Sequence, residues 1–219
     1  MSRVLGVLGG MGPAATLDFL AKLQAMTPAQ KDADHIRVIV DINPQVPDRN
    51  DPFARPGPVL AEMAGGLRGA GAEVLAIACN TAHAYADIIR QASGLPLIDM
   101  IDLACEAARD AGARRVGVLG TPTAVALYSA RLTGLGLEPV VPDAAQQARF
   151  MELVYRVKAG DLGQDVRDGM AGLAAGMDAE ALIAGCTEVP LVLDPAALSI
   201  PLIDAGALLA ERCVAVCSQ

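Results

Sequence analysis

The sequence predicts an α/β protein of two similar lobes, each a short parallel sheet flanked by helices. Two observations predict this fold class. Short runs of β-branched residues and leucine alternate with Ala-rich segments of helical period, and motifs of the first half recur in the second. Apolar strands without polar alternation are typical of parallel sheets buried on both faces. Helical crossovers, right-handed as a rule, then connect such strands.

Strand candidates are spread over the whole chain and are separated by segments long enough for helices. They are residues 4–8, 36–42, 74–78, 97–98, 116–119, 139–141, 181–184 and 202–203. Because each is short and bounded by Gly, Pro or polar residues, strands are favoured over helices at these places.

The halves of the chain match each other in three places and in the same order. The pairs are "LGVLGG" with "VGVLGT", "GAEVLAIACNT" with "DAEALIAGCTE", and "LPLIDM" with "IPLIDA". An alternative explanation of these matches is that all buried parallel strands have similar composition. The paired Cys-Thr and Pro-Leu-Ile-Asp elements are more specific than that similarity and favour an internal repeat. We therefore predict an N-terminal lobe of residues 1–98, with a C-terminal helix at 206–219 packed on it. We predict that residues 99–205 form the second lobe and that a pseudo-twofold axis relates it to the first.

Composition narrows the possible partners and location. The chain has 219 residues, of which 53% are hydrophobic and 19% charged, as in globular proteins. Its net charge of −8 and the lack of Lys or Arg runs argue against nucleic acid or an anionic membrane as partner. The N-terminal apolar run is too short for a signal peptide, and no apolar stretch approaches the roughly 20 residues of a membrane span. We expect a cytoplasmic protein.

The cysteines favour neither a disulfide framework nor a structural zinc site. There are 5 of them, an odd number, and no pair forms a CxxC motif. Cys79 and His83 are four residues apart and could share a metal on one helix face, but no further ligand cluster follows, so no metal is predicted. The remaining cysteines, in Ala-rich helical segments, are expected to be buried core residues. They are Cys105, Cys213 and Cys217.

Cys79 and Cys186 stand apart from the others because each comes just past the carboxyl end of a predicted strand. Ligands of open parallel sheets bind at that end. If the lobes face each other, the two sulfurs converge on one cleft. A helix N-terminus after each cysteine would lower the pKa of its thiol. One thiolate could then remove a proton from a stereocentre while the other thiol donates to the opposite face.

Five motifs together resemble the aspartate/glutamate racemase family, over essentially the whole chain. They are "GVLGGMGP", "PQVPDRN", "CNTAH", "VYRVKAGDLG" and "GCTEVPL". The chain looks most like the aspartate racemase branch, which works without pyridoxal phosphate. The resemblance implies interconversion of L- and D-aspartate or glutamate without a cofactor, an active site between the lobes, and a homodimer. Cys79 and Cys186 match the two catalytic cysteines of the family.

The resemblance also implies a set of substrate-binding residues. Asn80, Thr81 and Thr187 would hold the α-carboxylate, and Arg49 and Lys158 match cationic positions suited to an acidic side chain. Met11 and Gln45, in loops that line the cleft of the family, and Glu188, an acid in the first turn after Cys186, complete the set. The chain departs from the family pattern at two positions, where Ala78 replaces Pro and Asn50 replaces Thr.

Other functions stay open at this point. The same fold serves hydantoin racemases, maleate isomerases and malonate decarboxylases. A non-catalytic dicarboxylate-binding protein is also compatible, and so is a nucleotide-binding one, because Gly10, Gly12 and Ala15 approximate a dinucleotide motif with Asp41 as its acid. His83 is open too, either as a satisfied helix residue or as a catalyst.

Overall fold

The computed structural model describes residues 2–218 and shows two four-stranded parallel sheets. The first sheet comprises β1 (Leu5–Gly9), β2 (Val38–Ile42), β3 (Val74–Ile77) and β4 (Leu97–Ile98). Its strand order is β2-β1-β3-β4. The two central strands β1 and β3 are fully buried, whereas the edge strand β2 is half-exposed.

The helices of the first half follow their strands as predicted. They are α1 (Pro13–Met26), α2 (Pro56–Gly69), α3 (Ala86–Ser93) and α4 (Met100–Asp110). Both α1 and α2 begin with a proline in the first turn, where its fixed φ suits the helix and its missing N–H has no intrahelical partner to lose. Two short 3₁₀ helices, Asp32–Asp34 and Thr81–Tyr85, complete this half.

The second sheet repeats the strand order of the first. It comprises β5 (Arg115–Gly120), β6 (Glu138–Val140), β7 (Ala181–Gly185) and β8 (Leu202–Ile203), in the order β6-β5-β7-β8. All its strand pairs are parallel. The prediction of two similar α/β lobes is therefore confirmed.

The connections of the second half differ from those of the first. Its helices are α5 (Pro122–Gly134), α6 (Ala144–Lys158), α7 (Gln164–Ala175) and α8 (Ala205–Cys217). Two helices, α6 and α7, connect β6 to β7, whereas α2 alone connects β2 to β3. Only the 3₁₀ helices Val189–Leu191 and Pro195–Ala197 lie between β7 and β8, where the first half has α3.

All the strand candidates are present, with ends shifted by at most two residues. The candidate at 36–42 begins at Val38 because that residue pairs with Leu5, the first residue of β1. The candidate at 181–184 extends to Gly185, which pairs with Gly120. A Cβ at Gly120 would lie 2.8 Å from the Gly185 carbonyl oxygen, so glycine allows the two strand ends to approach.

The chain forms two compact units, each with its own hydrophobic core. One contains the chain up to Met100 and from Gly206 onward, and the other contains Ile101–Ala205. The first core is built around Leu8, Leu60, Leu75 and Ile77, and the second around Leu119, Phe150, Leu153 and Leu182. No helix in the described part of the chain is long and apolar enough to cross a membrane.

Candidate active site

Cys79 lies where three loops of the first sheet meet. It comes after β3, and the backbone N–H of the preceding Ala78 donates to the Leu8 carbonyl at 3.0 Å, which continues the pairing with β1. The cysteine is 3% exposed and shares a buried cluster with Met11 and Val46. The loops after β1 and β2 thus contribute to the same buried cluster as Cys79, at the carboxyl end of the sheet.

Arg49 fastens those two loops to each other. Its Nη2 donates to the Met11 carbonyl at 3.2 Å, and its Nη1 donates to the carbonyls of Val46 and Pro47 at 3.3 Å each. Its Nε is buried and has no hydrogen-bond partner among residues 2–218. A planar guanidinium can serve several acceptors at once, so this one cation ties the loop after β2 to the loop after β1.

His83 supports the backbone of Cys79. Its Nδ1 lies 2.9 Å from the Cys79 carbonyl oxygen, and its Nε2 accepts from the Met100 backbone N–H at 3.3 Å. Because a carbonyl only accepts, Nδ1 carries the hydrogen and the ring is neutral. Burial lowers the pKa of His83, and the nearby Asp99 carboxylate offsets only part of that effect. Both ring nitrogens are engaged in hydrogen bonds to the backbone, as in a residue that supports the Cys79 segment.

Cys186 follows β7 directly and lies against an acidic side chain. The cysteine is 5% exposed, and its Sγ donates to Glu188 Oε2 at 2.9 Å. The Thr187 hydroxyl donates to the same oxygen at 3.3 Å. The second carboxylate oxygen, Oε1, is buried and has no hydrogen-bond partner in the described part of the chain.

The electrostatic surroundings of Cys186 favour the thiol over the thiolate. Burial raises the pKa of Cys186 well above its ordinary value, and the Glu188 carboxylate raises it further. Lys158, exposed at the end of α6, acts in the opposite direction through its positive charge.

The expectation of a helix N-terminus that lowers the thiol pKa is wrong for Cys186. Only the three-residue 3₁₀ helix Val189–Leu191 follows it, and Glu188 takes the N-cap position without a side-chain cap bond. Cys79 is likewise followed by a 3₁₀ helix, with Asn80 at its N-cap and again no side-chain cap bond. The three-residue helix after Cys186 has little dipole to offer, and burial and the adjacent carboxylate outweigh it.

The structure places the predicted site residues in two groups, one in each unit. Around Cys79 lie the buried Asn80, Thr81 and Met11, together with Arg49. Gln45 is exposed in the loop after β2, where its backbone N–H donates to Asn43 Oδ1 at 3.0 Å. Around Cys186 lie Thr187, Glu188 and Lys158.

Sequence reasoning missed a residue that shapes the loop after β1. Thr16 accepts from the Gly10 backbone N–H at 2.9 Å and donates to the Gly12 carbonyl at 3.0 Å. Gly10 has φ +91, and a Cβ there would lie 2.5 Å from the Asn43 backbone, so the loop requires glycine. A hydroxyl in the first turn of α1, six residues after Gly10, was the available signal.

A family model described as Asp/Glu/Hydantoin racemase matches residues 8–213. This chain belongs to that racemase family. It is 29% identical to the broad specificity amino-acid racemase RacX of Bacillus subtilis, over 96% of each chain. The resemblance seen in the sequence motifs is thereby confirmed, and so is the enzyme class, an isomerase.

Solved structures agree with the family assignment. The aspartate racemase of Picrophilus torridus superposes with a TM-score of 0.87 at 29% identity, covering 97% of this racemase and 93% of that chain. Glutamate racemase of Francisella tularensis, solved with D-glutamate, gives a TM-score of 0.69 at 20% identity, covering 96% and 79%. The second likeness shows the shared two-lobe α/β fold.

Proposed function

We propose that this racemase interconverts the L and D forms of aspartate or glutamate by moving the Cα proton between Cys79 and Cys186. The observation that carries this proposal is the equivalent placement of the two cysteines. Each follows the strand that lies third in its sheet, β3 or β7, and each is buried beside Thr or Asn side chains. A chain that keeps two such thiols is suited to chemistry on both faces of one carbon.

In the proposed reaction, one cysteine thiolate takes the Cα proton and the electron pair of that C–H bond moves toward the substrate carboxylate. The other cysteine then gives its S–H proton to the opposite face of Cα, which inverts the centre. Acid–base assistance of this kind contributes about 10²–10⁴-fold. Hydrogen-bond donors on Asn80, Thr81 and Thr187 would stabilise the negative charge on the carboxylate. The reaction needs no cofactor.

An acidic substrate requires positive charge, which the protein as a whole lacks at a net charge of −8. Lys158 supplies a charge that acts on Cys186, and Arg49 lies in the loops around Cys79. We propose that these two cations receive the side-chain carboxylate, with Met11 and Gln45 bordering it.

The free thiols suggest the compartment in which the enzyme works, and the family resemblance suggests its oligomeric state. All the cysteines are unbridged, and a reaction that depends on two thiols requires a reducing compartment such as the cytoplasm. We also propose a homodimer as the active form, as the resemblance to the aspartate racemase branch implies.

Incubation of L-aspartate and L-glutamate separately in deuterated buffer tests the substrate and the reaction together. We expect formation of the D isomer with deuterium at Cα, measured by chiral chromatography with mass spectrometry. Neutral amino acids belong in the panel because the Bacillus subtilis relative has broad specificity. Turnover of neutral amino acids alone would contradict the proposal that the substrate is acidic. Absence of both D isomer and deuterium incorporation across the panel would contradict the proposed racemisation.

A further inference from the structure

The Cys186 thiol donates a hydrogen bond to the Glu188 carboxylate in a buried setting. The Sγ–Oε2 distance is 2.9 Å, and Glu188 is 2% exposed. The carboxylate receives hydrogen bonds only at Oε2, from the thiol and from Thr187, whereas Oε1 has none within residues 2–218. A buried carboxylate with so few donors depends strongly on each of them.

Elementary acidity decides which of the two groups holds the shared proton. Two anions at this separation in a buried site would repel each other, so in the substrate-free enzyme one proton lies between them. A carboxyl group is the stronger acid than a thiol by about four pKa units in solution. This agrees with the direction of the hydrogen bond, in which the Cys186 thiol is the donor and the Glu188 oxygen the acceptor.

The first unit has no acid at the matching position. In the aligned repeat segments "ACNT" and "GCTE", Thr81 stands where Glu188 stands. The motif of Cys79 thus offers neutral hydrogen-bond donors, whereas that of Cys186 adds a carboxylate. Two weaker influences oppose this carboxylate at Cys186: the charge of Lys158, which is exposed at the end of α6, and a hydrogen bond from the Glu188 backbone N–H.

We infer that Glu188 keeps the proton on Cys186 in the substrate-free enzyme, so that Cys186 enters the reaction as the acid and Cys79 as the base. The inference rests on the proposed function and assigns Glu188 a positioning role on the catalytic thiol. It replaces the substrate-binding role that the resemblance implied for this residue.

The proton balance of one turnover follows from this assignment. The Cys79 thiolate gains the Cα proton, while the Cys186 S–H bond breaks and its proton bonds to the opposite face of Cα. Cys79 is then a thiol, and Cys186 is a short-lived thiolate whose repulsion by the Glu188 carboxylate favours its reprotonation. Loss of a proton from Cys79 to water and uptake of one by Cys186 restore the starting form, without any further reactant.

Alkylation rates test the inference without relying on turnover. Wild-type enzyme and the isosteric variant Glu188→Gln are treated with iodoacetamide near neutral pH, and labelling of each cysteine is followed by peptide mass spectrometry. We expect Glu188→Gln to speed labelling of Cys186 by about tenfold or more, since one pKa unit changes the thiolate fraction about tenfold. An unchanged rate at Cys186 would overturn the inference.

A second measurement uses the wild-type enzyme alone. Cys79 should be labelled faster than Cys186, although Cys186 is slightly the more exposed of the two, at 5% against 3%. Faster labelling of Cys186 would overturn the inference even if Glu188→Gln failed to fold.

Controls distinguish a change in Cys186 reactivity from unfolding of the protein, and failure of this inference from failure of the proposed function. The rate at Cys213, which is fully buried in the core, reports opening of the protein in the same sample. Glu152→Gln removes an exposed carboxylate of α6 and should leave labelling at Cys186 unchanged. If wild-type enzyme racemises but Glu188→Gln labels normally, only the inference fails. If labelling behaves as expected without any racemisation, only the proposed function fails.

Discussion

At the scale of single residues, the two proposed catalytic cysteines have the same place in the fold but different surroundings. Cys79 is supported through its carbonyl by a neutral histidine, and Cys186 is held through its sulfur by a carboxylate. Two thiols with matched positions and unmatched partners suit a reaction in which one acts as base while the other acts as acid.

Serine substitutions test the roles of the two thiols. We expect Cys79→Ser and Cys186→Ser each to lower the rate of racemisation at least about 10²-fold, because a hydroxyl is far less acidic than a thiol and cannot supply an equivalent base. Circular dichroism should show that both variants stay folded. Near wild-type racemisation by either variant would contradict the two-base mechanism. Cys213→Ala, which removes a core thiol, serves as the control and should retain activity.

His83 predicts a pH dependence of stability. Its folded-state pKa is lowered, so the unfolded chain takes up the proton first as the pH falls. The stabilisation is therefore fully present above the unfolded pKa of about 6.5 and is lost below it, by at most about 1.4 kcal/mol per pH unit, until the folded pKa is reached. Urea unfolding of wild-type protein and His83→Gln at several pH values measures this.

We expect the free-energy difference between wild type and His83→Gln to shrink as the pH falls from 7 to 5. His35→Gln is the matched control, because it makes the same substitution at an exposed histidine. A gap between wild type and His83→Gln that widens on acidification would show that the ring is protonated in the folded state.

At the scale of elements, the carboxyl ends of the central strands are shaped by close backbone contact. Gly120 and Gly185 lie opposite each other on β5 and β7, and Cys186 is the next residue along the chain. In the first sheet, Gly10 approaches the Asn43 backbone in the same way, at the loop that Arg49 fastens. Small residues at these ends allow the loops that carry the site residues to come together.

Gly120→Ala is expected to disturb the end of β7. The added Cβ would lie 2.8 Å from the Gly185 carbonyl oxygen, so the strands must part. We expect a loss of about 1–3 kcal/mol in the free energy of unfolding, as for overpacked cores, together with reduced racemisation. Denaturant unfolding and the racemisation assay measure the two effects.

Gly172→Ala provides the comparison, because nothing lies within 4 Å of the new Cβ on α7. It should be neutral or stabilise the helix by up to about 1 kcal/mol. Equal effects of the two substitutions would show that the approach of β5 and β7 does not constrain the chain.

At the scale of the whole molecule, the same four-stranded α/β topology occurs twice, with different connecting helices. Each unit has the same strand order, and each carries one buried cysteine after its third strand and one cation near it. The variation lies in the crossovers. The extra helix between β6 and β7 gives the second unit a helix end at which Lys158 stands, whereas the first unit places Arg49 in a loop.

The sequence by itself determined the α/β class, the strands and the position of each cysteine just past a strand. These features can be predicted from local sequence, because apolar runs, Pro and Gly at turns and helix ends, and the internal repeat are all visible in the order of the residues. The tertiary structure alone decided which partners these residues have. Glu188 at the Cys186 sulfur, His83 under the Cys79 backbone and Arg49 on the Met11 carbonyl depend on burial and on contacts through space. Charge states follow from such contacts, which is why the expected lowering of the Cys186 pKa was reversed.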